Sequence, residues 1–128
     1  MINLNNKGQS LVLFIILIPI LVLILVFIVD LGNLYSVKNQ LNNVCYLVVE
    51  YGVSDYDKND NLKDDMIKLA KMNDNNLTKI DINLDSNIDV VLEKDFSFII
   101  GKFFEFGTYR ISVHYVGNID NKKIERIK

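Results

Sequence analysis

Tryptophan is absent from this 128-residue chain, and cysteine, histidine, proline and alanine occur once each, as Cys45, His114, Pro19 and Ala70. A lone cysteine excludes an internal disulfide and leaves the redox compartment unread. A single histidine with no acid or thiol at ligand spacing provides neither a metal motif nor a placed general base. An excess of positive charge is missing too. The 14 Lys+Arg against 16 Asp+Glu give a net charge of -2, and the basic residues form no cluster beyond Lys122 and Lys123. That balance argues against nucleic acid as a partner. No cofactor-binding motif is present, and the chain is expected to be non-enzymatic.

Charge is also missing locally. No charged residue stands between Lys7 and Asp30, and residues 11–29 comprise 18 apolar residues and Pro19. Outside that block the apolar share falls to about 42%, near that of an ordinary soluble domain. As a helix rising 1.5 Å per residue the block is roughly 28 Å long, close to the hydrocarbon thickness of a bilayer. A secretory signal peptide has a shorter apolar core, about 7 to 15 residues, ending at small residues. Here the run is longer and closes on Val29-Asp30-Leu31-Gly32-Asn33, so it reads as a retained single-pass anchor. Lys7 and the amino terminus precede the span, whereas charges of both signs follow it. The positive-inside bias therefore places the first residues in the cytoplasm and the bulk of the chain outside. Pro19 removes one backbone donor within the span, a distortion that lipid-embedded helices tolerate.

The helical pattern does not stop at the membrane. Leu34, Val37, Leu41, Val44, Val48 and Tyr51 recur at intervals of three and four, an apolar seam continuing into water. Such a seam must be covered, either by the chain's own carboxyl-terminal part or by neighbouring copies of the helix. Gly52, followed by Ser54-Asp55-Tyr56-Asp57, is expected to stop the helix. A short amphipathic helix is expected over 62–72, with Asp64 and Asp65 in its first turn and Lys68 and Lys71 in its last. Alternation of Ile80, Ile82 and Leu84, then of Ile88, Val90 and Leu92, predicts a hairpin around Asp85-Ser86-Asn87. Tyr109, Ile111, Val113 and Tyr115 predict a third strand. The fold expected is α+β, a long amino-terminal helix continuing into a small domain with a short helix and a three-stranded antiparallel sheet. Five of the seven phenylalanines fall between Phe96 and Gly107. Packing of this stretch in the core is the favoured expectation, an exposed aromatic loop the other.

The stretch Gly8-Gln9-Ser10-Leu11-Val12-Leu13-Phe14, with Pro19 five residues on and Asp30-Leu31-Gly32 closing the apolar run, resembles the amino terminus of the TadE-like pseudopilins of Tad-type pili. Gly8, Gln9, Ser10, Phe14, Pro19, Asp30 and Gly32 stand at the family's spacing, and Val48-Val49-Glu50-Tyr51-Gly52 resembles its helix end. The resemblance covers residues 7–52; the outer part agrees only in outline. It implies a prepilin cut between Gly8 and Gln9 by a membrane prepilin peptidase, with residues 1–8 as leader. Residues 9–52 would then be the assembly helix and 53–128 an extracytoplasmic domain. It further implies assembly with other pilin and pseudopilin subunits, driven by a secretion ATPase and a membrane platform protein, into a filament serving adhesion. Leu13 departs from the pattern, because the family usually has Glu there to neutralise a neighbour's amino terminus, a group costly to bury unpaired. Two explanations stand side by side: a minor subunit at a tip or priming position, or divergence. The alternative function is an uncleaved single-pass protein whose outer domain binds a ligand or partner. An enzyme would have to unite Asp57, Asp60 or His114 in a cleft that their spacing does not suggest.

Asp55-x-Asp57-x-Asn59 has the opening spacing of a calcium loop, but Asp60 replaces the required Gly and Met66 the closing Glu. It reads as a solvated acidic loop. Asn76-Leu77-Thr78 fits a glycosylation triplet, unsurprising in so Asn-rich a chain. Cys45, beside the seam, is expected to be a small buried apolar residue, and His114 to lie on the polar side of its strand.

Overall fold

In the computed structural model, residues 2–58, 60–105 and 107–127 are described, side chains being described from residue 8 onward. Asn59 of the acidic loop, Phe106 of the aromatic stretch and the side chain of Lys7 lie outside the described residues. The element order is α1 (Ile2–Ser54), α2 (Leu62–Asn73), β1 (Lys79–Asn83), β2 (Ile88–Phe96), α3 (Ile99–Phe104), β3 (Tyr109–Gly117) and β4 (Ile124–Ile127). The architecture is α+β: a long apolar amino-terminal helix followed by a small domain of a short helix and an antiparallel sheet.

α1 runs unbroken for 53 residues through Pro19. It does not stop at Gly52. A Cβ there would lie 2.7 Å from Met66 Cε, so this glycine lets α1 and α2 approach closely inside the helix, and α1 ends two residues later. α2 packs Leu62, Met66 and Ala70 against α1 and is closed by Asp74, whose backbone N–H donates to the Ala70 carbonyl. The buried Asp74 carboxylate receives Lys94 Nζ from β2 at 2.9 Å, tying the end of α2 to the sheet.

The sheet has order β1-β2-β3-β4, every pair antiparallel. One strand more is present than expected. β4 is four residues long, pairs only with His114–Gly117, and has no alternation that would mark it in the sequence. Opposed pairs Ile82↔Val90 and Leu92↔Val113 turn one face of the sheet onto α1. Side chains alternate between faces along a strand, so the period-two pattern fixes this register. The core consists of Leu41, Val44, Cys45, Val48, Val49 and Val53 from α1, the inner residues of α2, and the sheet's inward face. Gly117, at the end of β3, marks the tightest contact, where a Cβ would lie 2.6 Å from Val53 Cγ2 and 2.7 Å from Val49 Cγ1.

The aromatic stretch divides between the two expectations. Phe96 packs against the core and Phe98 is half-buried, the two rings meeting edge to face at 5.0 Å. Core packing fails for Phe103 and Phe104, which lie on α3 and are 75% and 54% exposed.

Candidate functional site

From Gly8 to Val29 every residue of α1 is exposed except Val26, which is half-buried. Leu13 is 61% exposed, and Phe14, Ile18, Leu21 and Leu25 project likewise. A continuous apolar surface of this length is untenable in water but suits a bilayer, because a helix pairs its own interior backbone groups, here all but the Ile15 carbonyl opposite Pro19. It is the one candidate membrane span among the described residues. A Cβ at either Gly8 or Gly32 would meet nothing within 4 Å, so neither glycine is required for packing inside the chain.

Where the apolar run ends, the first charged side chain is buried. Asp30 is 1% exposed; its Oδ1 accepts the Ile99 N–H at 2.7 Å and its Oδ2 accepts the Ile100 N–H at 2.9 Å. The first N–H groups of a helix have no partner within it, and a carboxylate there also meets the positive end of the helix dipole. Phe98, the N-cap of α3, offers no side-chain bond. A residue 69 positions away in sequence supplies the cap instead. Both Asp30 and the phenylalanine-rich stretch stand out in the sequence; their union does not, since nothing local signals a cap from another element.

Beyond Asp30 the structure decides what covers the seam. Leu41, Val44 and Val48 are buried and Leu34, Val37 and Tyr51 packed against the core, all beneath the chain's own sheet and α2. These six residues are therefore taken up within the subunit and present no free stripe to a second helix. On the same helix Leu31, Tyr35, Tyr46 and Leu47 remain exposed, with Tyr46 edge to face with Tyr115 at 6.2 Å.

Cys45 is fully buried on this inner face and its thiol donates to the Val90 carbonyl at 3.4 Å. Burial pushes the thiol up to about 12, opposed by a backbone hydrogen bond from Tyr115. A thiol so held is unreactive at neutral pH. His114 lies on the outer sheet face with Nε2 3.4 Å from Asp89 Oδ1. The open depression beside it, about 220 Å³, is lined by Asp81, Asn83, Asp89 and Val91. Neither Asp57 nor Asp60 lines it. Both belong to the acidic loop between α1 and α2, where their side chains are exposed. Among the described residues no three His, Cys, Asp or Glu are grouped to hold a metal.

A long apolar helix whose outer half is wrapped by its own antiparallel sheet makes this an α+β protein with one candidate membrane span among the described residues. Residues 8–52 match the family model of the TadE-like proteins, so this helix is similar to theirs. The match begins on Gly8 and takes in about a third of the chain, leaving α2 and the sheet outside it. Neither curated proteins nor solved structures give a match to the chain.

Proposed function

We propose that the chain is a pseudopilin, a minor-pilin subunit of a Tad-type pilus or related secretion filament, made as a prepilin and cut between Gly8 and Gln9. The observation that carries the reading is the TadE-like match opening on Gly8 and running along a helix whose first half is lipid-suited and whose second half has its apolar seam covered by the chain's own domain. In this reading the amino terminus is cytoplasmic and the sheet domain extracytoplasmic. The platform protein and sister pilins are the assembly partners, the prepilin peptidase acts on the leader, and the chain itself performs no catalytic step.

Leu13 supports a tip or priming position. A mature Gln9 amine needs an acidic partner in a neighbouring stem, and Leu13 offers none. Asp30, the acidic group nearest the span among the described residues, is already committed to two backbone N–H groups of α3. A subunit at the end of a filament has one fewer neighbour whose amine must be met.

The test is the mass of the mature chain from cells with and without the prepilin peptidase. Gln9 as first residue only when the peptidase is present supports the proposal. An intact amino terminus in both would refute it and favour the uncleaved anchor with a partner-binding outer domain.

A further inference from the structure

We propose that α3 is an interfacial foot, an aromatic element that seats the outer domain on the headgroup layer of the bilayer from which the stem emerges. This rests on the reading of residues 11–29 as a membrane span. Three observations place the foot. Asp30, the residue directly after the span, grips the first N–H groups of α3, so this helix begins at the level where hydrocarbon gives way to headgroups. Val26, one turn deeper, is the single residue from Gly8 to Val29 that is not exposed, so the covered stripe of α1 reaches into the last turn of the apolar segment. α3 has only six residues, roughly 9 Å of helix, so none of its side chains can lie far from that level.

Its chemistry suits this position. Gly101 is buried, whereas Ile99, Phe103 and Phe104 project outward. Glu105 then adopts a left-handed conformation, φ 56°, that ends the helix. Tyr109 at the start of β3 is exposed, with Lys38 Nζ 6.0 Å from its ring centroid, and Tyr35 stands out on α1 a little over one turn beyond Asp30. Aromatic rings flanked by lysine at the end of an apolar span are the side chains that favour the membrane–water boundary. The lipid surface is therefore the occupant of this patch. Because Asp30 ties the start of α3 to the end of the span, a second copy of the domain could reach the patch only by displacing lipid there.

The chain has no tryptophan, so one introduced residue reports its own depth by fluorescence. Full-length Phe103→Trp and Leu21→Trp are reconstituted separately into phosphatidylcholine–phosphatidylglycerol vesicles carrying bromine either near the headgroup or deep in the acyl chains. Leu21→Trp is expected to lose more than half its emission to the deep bromine, and Phe103→Trp more than half to the shallow one. If Leu21→Trp is quenched while Phe103→Trp is quenched by neither, or no better by the shallow than by the deep bromine, the foot is overturned and the span stands. Blue-shifted but unquenched emission from Phe103→Trp, as packing against a second copy would give, overturns it as well. Loss of quenching at Leu21→Trp removes the span itself, and the foot falls with it.

Discussion

Gly117 and Gly52 sit under two different kinds of neighbour, and that difference sets how far each position is constrained. The atoms that a Cβ at Gly117 would strike belong to Val49 and Val53, both buried and both fixed at χ1 on a helix. The closest at Gly52, at 2.7 and 2.8 Å, belong to the unbranched and more adaptable end of Met66, with Ile88 Cδ1 behind them at 3.1 Å. Cys45 shows the same core from its electrostatic side. Its thiol is pushed from the ordinary 9.0 to about 12, mainly by burial, so the folded chain keeps its proton over a range in which the unfolded chain gives it up. The stabilisation is complete below pH 9 and is lost as pH rises from there toward 12, at a slope of up to about 1.4 kcal/mol per pH unit. Urea midpoints measured from pH 8 to 11 should therefore fall more steeply for the native chain than for Cys45→Ala. Parallel curves would show that other groups set the alkaline limit.

Among the elements, α3 depends most on a single distant contact. Six residues are too few for a helix to persist alone in water, and among the described residues its first two N–H groups are satisfied by Asp30 alone. Asp30→Ala leaves them unpaired, a loss of about 1–3 kcal/mol, which exceeds what so short a helix can sustain. Amide exchange at Ile99 and Ile100 is expected to rise to the rate of an unstructured chain, while Leu92 and Val113 in the sheet keep their protection. Retained protection at Ile99 would mean that Phe96 and Phe98 alone hold the segment. The same dependence explains which elements the sequence discloses. α1, α2 and the strands β1 to β3 bury one face over five residues or more, so Leu41-Val44-Val48 and Ile88-Val90-Leu92 announce their periods. α3 has a period too short to read and a cap from another element. β4, with Ile124 and Ile127 flanking two charges, exists because the open edge of β3 at His114–Gly117 receives it. Gly52 misleads for a related reason: a glycine near a helix end suggests a stop, but here it answers to Met66 on another helix.

At the scale of the whole molecule, the seam from Leu34 to Tyr51 bears on how copies of the chain would join in the proposed filament. Periodicity alone allows that stripe either to fold back on its own domain or to bind neighbours, since both bury the same apolar area. The observed packing is intramolecular, with Leu41 and Val48 fully buried. Separating the domain from α1 to free the stripe would expose the inner faces of β2 and β3 as well, so exchange of partners gains nothing. In the filament proposed above, stem-to-stem contact would run through residues 11–29, trading lipid for side-chain packing, and through outward residues such as Leu47. The arrangement makes a definite forecast for crosslinking of single cysteines placed in a Cys45→Ala background. Leu21→Cys and Leu47→Cys should form intersubunit bonds in assembled material, whereas Val48→Cys, one residue along but facing the core, should form none. Bonding at Val48→Cys would show that the domain comes off its own helix during assembly, and the stem would then be shared along its full length.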